Sequence, residues 1–306
     1  MGMALTSIII PTHDRPEMLP RAVESARRAG SNIEVVVVED GSSDETGAVC
    51  RSLPGITLVR LQRCRGVGHA RAAGIAASSG TYISLLDDDD VRLPGTIDRQ
   101  LAHLEARPEA ALVYGQIYRA TQSLAIDAER VFPRECPVGE VYWTLMASNF
   151  IASCSVVVRR SAIESVGGWC GDTAPADDWD LWLRITERYP IAALPEPVSI
   201  YREPTLWSQQ GSSRLADTLL SADLRVLKRC ADSPRARADP RAFRHASRRV
   251  MRAISVRLLA DAFEAARRGD RYAFVSLRHA IAAPEAFLQA IFSAGPWKKL
   301  AERLGS

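Results

Sequence analysis

An open, mostly parallel α/β sheet flanked by helices, with a helical appendage behind it, is predicted by three observations. Through the first two thirds of the 306 residues, short apolar runs rich in β-branched residues alternate with segments of helical period, the pattern of repeated βαβ units. Acidic and polar clusters follow directly on several of these runs, which is where ligands collect in such a sheet. Beyond Tyr201 the pattern becomes amphipathic helix.

Taken in order, Thr6 to Ile10 reads as the first strand, and Leu19 to Ala29 as a helix closed by Gly30. Ile33 to Val38 is the second strand, after which Ser42-Ser43-Asp44-Glu45 supplies capping oxygens and first-turn carboxylates to a second helix. Ile56 to Leu61 is a third strand, and Gly68 to Ser79 a helix that stops at Gly80. Thr81 to Leu86, Ala111 to Ile117 and Ser153 to Val158 complete the strand set. Residues 120–150 alternate poorly, contain Pro133 and Pro137, and read as an excursion over the sheet rather than a core element. In the tail, a long helix is expected from Arg241 to Arg268, broken by Gly269-Asp270 and again by Pro284. The expected division is residues 1–212 for the sheet domain and 213–306 for a basic helical region.

Composition bounds the function classes. With 47% hydrophobic and 25% charged residues and a net charge of +3, the chain is globular, and disorder, collagen and a disulfide-stapled miniprotein are excluded. Its longest apolar stretches fall far short of the roughly 18–20 residues of a spanning helix. Met1 leads into a strand without a basic leader, so a cytoplasmic location is expected. Six cysteines (Cys50, Cys64, Cys136, Cys154, Cys170, Cys230) form no C-x-x-C pair, and read as buried free thiols; any metal is then held by oxygen.

Charge is distributed unevenly. Residues 1–214 hold 21 Arg against 27 Asp and Glu, whereas residues 215–306 hold 18 Lys and Arg against 9 acids, including all three lysines and Trp297 beside Lys298-Lys299. Two readings stay open: a solvated helical face, or a basic surface for an anionic membrane leaflet or a phosphate-bearing acceptor.

The strand ends carry the chemistry. Pro11-Thr12-His13-Asp14 follows Ile10, Glu39-Asp40-Gly41-Ser42-Ser43 follows Val38, and Asp87-Asp88-Asp89-Asp90 follows Leu86. Four consecutive carboxylates repel one another, and a hard divalent cation relieves that repulsion; a solvated acidic turn is the plainer alternative. An EF-hand loop is excluded, because from Asp87 its sixth position is Arg92 and its twelfth Asp98. A magnesium-type ion leaves positions for phosphate oxygens, which points to a nucleoside diphosphate co-ligand.

Arg71 lies in a glycine-bearing turn, Arg65 to Gly74, whose N–H groups and guanidinium can meet an anion, unless the glycines serve packing alone. The turn is not G-x-G-x-x-G, and no G-x-x-x-x-G-K-[ST] occurs, so a dinucleotide dehydrogenase and a P-loop NTPase lose support. Asp177-Asp178 precedes Trp179-Asp180-Leu181-Trp182. It reads either as dipole-favoured acids of a first helical turn or as a carboxylate that deprotonates a hydroxyl.

Six segments together, in this order and spacing, resemble the family 2 glycosyltransferases of the GT-A fold over about residues 5–203. They are Ser7 to Arg15, Val38 to Asp44, Ala70-Arg71 with Gly74, Leu86 to Asp90, Val166-Gly167-Gly168-Trp169 and Asp177 to Arg184. The resemblance implies an inverting transfer of a sugar, from a nucleotide sugar of UDP type, to a glycan or lipid-linked acceptor in bacterial surface-glycan synthesis. It implies that Pro11, Thr12 and Asp40 contact the base, Arg71 the base or diphosphate, and Asp87 and Asp88 the ribose. Asp89 would bind Mg²⁺ or Mn²⁺, Asp178 would be the catalytic base, and Asp177 and Trp169 would line the acceptor and sugar site. The expected partners are the nucleotide sugar, the glycan or lipid-linked acceptor and an anionic membrane surface met through the basic C-terminal helices, with no nucleic acid; the expected location is cytoplasmic, or peripheral at the inner membrane face.

Two departures are visible. Ala72 stands where Asn commonly follows the Arg, and Tyr201-Arg202-Glu203-Pro204 has Pro204 where a third metal ligand often lies, so that Glu203 or diphosphate and water complete the metal shell. A sugar nucleotidyltransferase lacks its expected N-terminal glycine-rich Arg-Lys loop here. A non-catalytic nucleotide- or carbohydrate-binding subunit is the remaining alternative.

Overall fold

The structure, a computed structural model, describes residues 4–206, 208, 216 and 220–281. β1 (Thr6–Thr12) and β2 (Ile33–Asp40) run two residues beyond the apolar runs that predict them, so Thr12 and Asp40 are strand-end residues rather than loop residues. They pair in parallel, Ile8 opposite Val35 and Pro11 opposite Val38. Ile8 to Ile10 and Val36 to Val38 have no exposed surface, as a parallel strand covered on both faces requires. Between them α1 (Leu19–Arg27) buries Leu19, Ala22, Val23 and Ala26, one helical stripe of the core.

α2 (Thr46–Ser52) leads to β3 (Thr57–Leu61), parallel to β2. α3 (Val67–Ala77) lies close on the sheet because Gly74 has no side chain; a Cβ there would meet Ile9 Cγ2 at 2.4 Å. β4 (Tyr82–Leu85) pairs in parallel on the other side of β1. β5 (Val91–Arg92), α4 (Thr96–Glu105), β6 (Leu112–Ala120), β7 (Ile126–Phe132) and α5 (Tyr142–Ala147) follow, then β8 (Val156–Arg159), α6 (Arg160–Ser165), α7 (Asp177–Thr186) and β9 (Ala192–Arg202).

The sheet order is β3-β2-β1-β4-β8-β6-β9-β5, with β7 on β6. Its first four strands are parallel, as expected. β8 runs antiparallel to both β4 and β6, so the second half is mixed. Residues 120–150, expected as an excursion, instead supply β7, which extends the sheet antiparallel to β6, and the buried Val141 and Tyr142. The strand was hidden because Ile-Asp-Ala-Glu-Arg-Val-Phe carries charges typical of a sheet edge.

Among the described residues the chain falls into two compact units, Met1–Tyr142 with Asn149–Glu203, and Trp143–Ser148 with Pro204–Ser306. In the second, α8 (Leu220–Ala231), α9 (Pro234–Ala238), α10 (Pro240–Arg267) and α11 (Tyr272–Ile281) follow one another. The Asp239 carboxylate caps α10 by accepting from the N–H groups of Arg241 and Ala242. Gly269, at φ +67°, turns the chain into α11. The boundary expected at 212/213, Pro284 and the Trp297-Lys298-Lys299 cluster lie outside the described residues. No described helix is long and apolar enough to cross a membrane. All six cysteines are free, but only Cys50, Cys154 and Cys230 are buried, and Cys64 is exposed, contrary to expectation. Cys64 lies in the loop after β3, outside the covered strands.

Candidate active site

The strand order reverses at β1, which has β2 on one side and β4 on the other, so the C-terminal ends of these strands frame the crevice where this architecture binds ligands. Thr12 and Asp88 bridge that point: Thr12 Oγ1 donates to Asp88 Oδ2 at 2.7 Å. Arg15 Nη1 donates to Asp88 Oδ1 at 2.9 Å and reaches Asp89 Oδ2 at 3.4 Å. Burial pushes the Asp88 carboxyl above its ordinary range against the pull of Arg15. Burial, and then the charges of Asp87 and Asp88, push Asp89 up to about 6.

Asp90 is the most enclosed of the four. Its Oδ1 accepts from the Arg202 N–H at 2.9 Å, while Oδ2 is buried with no N–H or O–H donor. Burial and the charges of Asp89 and Asp87 hold this carboxyl well above the usual range. Ligand oxygens of Asp87, Asp89 and Asp90 lie within 4.8 Å of one another. Three acids this close, one with a buried oxygen that no N–H or O–H meets, fit a hard divalent cation such as Mg²⁺ or Mn²⁺. Glu203, expected as a substitute ligand, is not in the group: it pairs with Arg119 and Arg130. Beside the cluster, Arg202 Nε reaches the Asp89 carbonyl at 3.2 Å.

The strand that leaves the acid run is held from beneath. Arg92, fully buried in β5, donates to Thr96 Oγ1 at 3.3 Å and to Gln100 Oε1 and the Cys154 carbonyl. Its pKa is lowered to about 10 by burial, with no carboxylate among the described residues paired to it.

Asp40 is buried at the end of β2. Its carboxylate accepts from the N–H groups of Arg65 at 2.8 Å and Gly66 at 2.7 Å. The anion met by the glycine-bearing turn is therefore a side chain of the protein itself. Gly41, at φ +63°, makes this possible, since a Cβ there would meet the Arg63 carbonyl carbon at 2.4 Å. Pro11 is buried opposite Val38, and His13 Nδ1 lies 2.8 Å from the Asp40 carbonyl oxygen.

A second acidic group meets the first through one guanidinium. Arg71, buried in α3, donates from Nη2 to Asp87 at 2.7 Å and from Nη1 to both oxygens of Asp177, at 3.1 and 3.0 Å. Burial opposes its charge, but Asp177, Asp87 and Asp178 outweigh burial and hold its pKa well above the ordinary value. Trp169 Nε1 donates to Asp177 Oδ2 at 2.9 Å, and the Arg71 guanidinium lies 5.8 Å from the Trp169 ring centre. Asp177, expected at the acceptor site, has no exposed surface, and both its oxygens are taken. Trp169 is half-buried and meets the core Trp182 edge-on at 6.2 Å.

Asp178 is different. It is half-buried at the start of α7, and its Oδ1 accepts from the Trp179 N–H at 2.6 Å. Burial and the Asp177 charge, against Arg71, push its carboxyl up to about 7. A carboxyl that titrates there exchanges a proton readily near neutral pH. Arg15, Arg92, Arg202 and Asp90 are the site residues to which sequence reasoning assigned no role. The four-acid run was itself a signal that buried cations must answer it.

This arrangement defines an α/β protein with a buried, acidic, cation-competent site at the C-terminal edge of its parallel strands. The family model for glycosyl transferase family 2 matches residues 7–167, and the chain belongs to that family. It is 37% identical over 103 residues to the succinoglycan biosynthesis protein ExoO of Rhizobium meliloti, covering 33% of this chain and 30% of that one. It is 26% identical over 189 residues to the amylovoran biosynthesis glycosyltransferase AmsE of Erwinia amylovora, covering 60% of this chain and 70% of that one. The match spans 62% of an uncharacterized glycosyltransferase of Haemophilus influenzae, at 22% identity over 60% of this chain. S. aureus TarS 1–349, solved with UDP-GlcNAc, superposes with a TM-score of 0.58 at 14% identity, over 75% of this chain and 67% of that one, a likeness of GT-A fold.

Proposed function

We propose that the chain is an inverting glycosyltransferase that moves a hexosyl or N-acetylhexosaminyl unit from a UDP-sugar to a hydroxyl of a glycan or lipid-linked acceptor. The observation that carries this reading is the pair of acidic groups on one guanidinium: a cation-competent cluster on the Asp87 side, and a carboxyl poised near pH 7 on the Asp177 side. The names of the ExoO and AmsE relatives support a role in bacterial surface-glycan synthesis. The UDP-GlcNAc held by TarS supports a uridine donor.

In this proposal Pro11 and Thr12 border the base, and Asp40 shapes its pocket by holding the loop at residues 64–66. Arg71 faces the base or diphosphate and Asp87 and Asp88 the ribose, while Trp169 walls the sugar pocket. Asp178 takes the acceptor hydroxyl proton on a carboxylate oxygen as that hydroxyl oxygen bonds to the anomeric carbon. The bond from the anomeric carbon to the diphosphate oxygen breaks with its electron pair, and the nucleoside diphosphate departs. Asp89, with Asp87 and Asp90, would hold a divalent ion, which when bound would supply charge compensation for that leaving group. Asp177 positions Arg71 and Trp169 rather than touching the acceptor.

We assign this chemistry to residues 1–212 and an accessory role to the basic residues 213–306, at the cytoplasmic face of a membrane. Calorimetric titration with UDP, GDP and dTDP, each with Mn²⁺ and with EDTA, tests the proposal. Metal-dependent preference for UDP is expected, followed by sugar transfer from the matching donor; no nucleotide binding under either condition overturns it.

A further inference from the structure

α11 presents two different stripes to the outside. At about 100° per residue, Phe274, Leu277 and Ile281 fall within about 60° of arc, and Arg271 and Arg278 form the adjoining arc. Tyr272, Ser276 and Ala280 are buried on the opposite side, where α11 packs on α10. The apolar stripe is open: Phe274 is 77% exposed and Ile281 51%. Phe263, in the last turns of α10, is 45% exposed, and Arg267 and Arg268 at the corner are exposed too. Of the two acids between Phe263 and Ile281, Glu264 is half-buried and Asp270 is occupied in capping α11 through the Tyr272 N–H at 2.9 Å.

A single exposed apolar side chain is ordinary, but several that form one contiguous patch rimmed by charges mark an interaction surface. An apolar stripe bordered by arginines is the pattern of a helix that lies in the plane of a bilayer interface, its hydrophobic face among acyl chains and its cations among anionic headgroups. We propose that α11, with the α10–α11 corner, is the surface by which this protein docks on an anionic lipid bilayer. Charge complementarity selects this occupant: from Arg267 to Ile281 there are four arginines and one acid, as an anionic surface demands and a second copy of the same basic face does not. The inference rests on the membrane-face location proposed above and names the residues that make the contact; it is independent of the transfer chemistry.

The test is flotation of the full chain with phosphatidylcholine vesicles, and with phosphatidylcholine–phosphatidylglycerol vesicles, without nucleotide or metal. The protein is expected to float with the anionic vesicles alone. Phe274→Asp with Ile281→Asp should abolish flotation, and Arg271→Gln with Arg278→Gln should lower partitioning at least about tenfold, since each interfacial cation is worth about fivefold. Both variants change exposed positions, and an unchanged circular dichroism melt serves as the fold control. Wild type that stays unbound overturns both the docking face and the membrane location. Undiminished flotation of both variants overturns this face while leaving the location intact. A wild-type dimer that Phe274→Asp converts to monomer assigns the face to a second copy and overturns the proposal.

Discussion

Arg71 and Asp177 are joined through both oxygens of the carboxylate, at 3.1 and 3.0 Å, at a point where Asp177 has no contact with solvent. The same guanidinium holds Asp87, so the acid run after β4 and the acidic start of α7 share one cation. Removing one partner of a buried ion pair typically costs about 3–5 kcal/mol, because the other charge is left uncompensated. Asp87 remains to Arg71, so Asp177→Ala is expected at the lower end, as a drop in thermal midpoint of several degrees. Asp177→Asn tests the electrostatics instead. It removes a negative neighbour that raises the Asp178 pKa, so the acidic limb of the pH–rate profile should move below 7, whereas Arg71→Met should move it upward. A limb that stays in place in both variants would detach Asp178 from that limb.

For Asp178 itself the expected signature is a rate that rises with pH through about 7, because the carboxylate, not the acid, accepts the hydroxyl proton. Asp178→Asn should reduce turnover at least about a hundredfold, the usual scale for losing a general base, and leave UDP affinity near that of wild type. Steady-state kinetics alongside nucleotide titration checks both halves. Unchanged turnover removes Asp178 from the role; lost UDP affinity makes it a structural residue of the donor pocket.

Asp87, Asp89 and Asp90 give a readout that does not need turnover. Arg71 and Arg15 offset their mutual repulsion only in part, so Mn²⁺ alone should raise the thermal midpoint of the wild-type protein, as any ligand of the folded state does. Asp89→Ala should abolish most of that rise and at least about tenfold of the Mn²⁺-dependent gain in UDP affinity. Asp90→Asn keeps the shape and removes the acid that burial and its neighbours make hardest to ionise, and should raise the midpoint measured in EDTA, since Asp90 is the most buried acid of the group. Equal UDP affinity in Mn²⁺ and EDTA for wild type and Asp89→Ala alike would sink the cation assignment.

The parallel half of the sheet and the acids at its edge were legible because β-branched runs mark buried strands and the residues after them mark the ligand edge. β9 was not, for a local reason: Ala-Ala-Leu-Pro-Glu-Pro-Val-Ser-Ile-Tyr-Arg carries Pro195 and Pro197, which argue against a strand, and the ladder with β6 accommodates them by shifting register beside Gly115 and Gln116. The direction of β8 is equally absent from its own residues, because Val-Val-Val-Arg suits either sense and only the route of the connecting chain decides it. The residues by themselves name Asp177 and Asp178 only as a pair, and the family resemblance alone gave them separate roles. What distinguishes them is burial and the reach of Arg71 and Trp169, 106 and 8 residues away along the chain. Arg15 and Arg202 were hidden similarly, since their partners lie 73 and 112 residues distant.

The helical unit carries a titrating group of its own. Asp223 in α8 is half-buried, and burial pushes its carboxyl up to about 7, with Arg257 of α10 opposing. Its folded pKa lies above the unfolded value of roughly 4, so the folded state binds the proton more tightly. The stability from this group is complete below about pH 4 and is lost as pH rises through about 7. Asp223→Asn is neutral at every pH and removes that loss. The variant should therefore melt higher than wild type at pH 8, with a smaller difference at pH 5, and its midpoint should vary less with pH between those values. Thermal melts followed by circular dichroism at the two pH values decide it: a variant that melts lower than wild type at pH 8 would mean that the ionised carboxylate is stabilised by Arg257 more than burial penalises it.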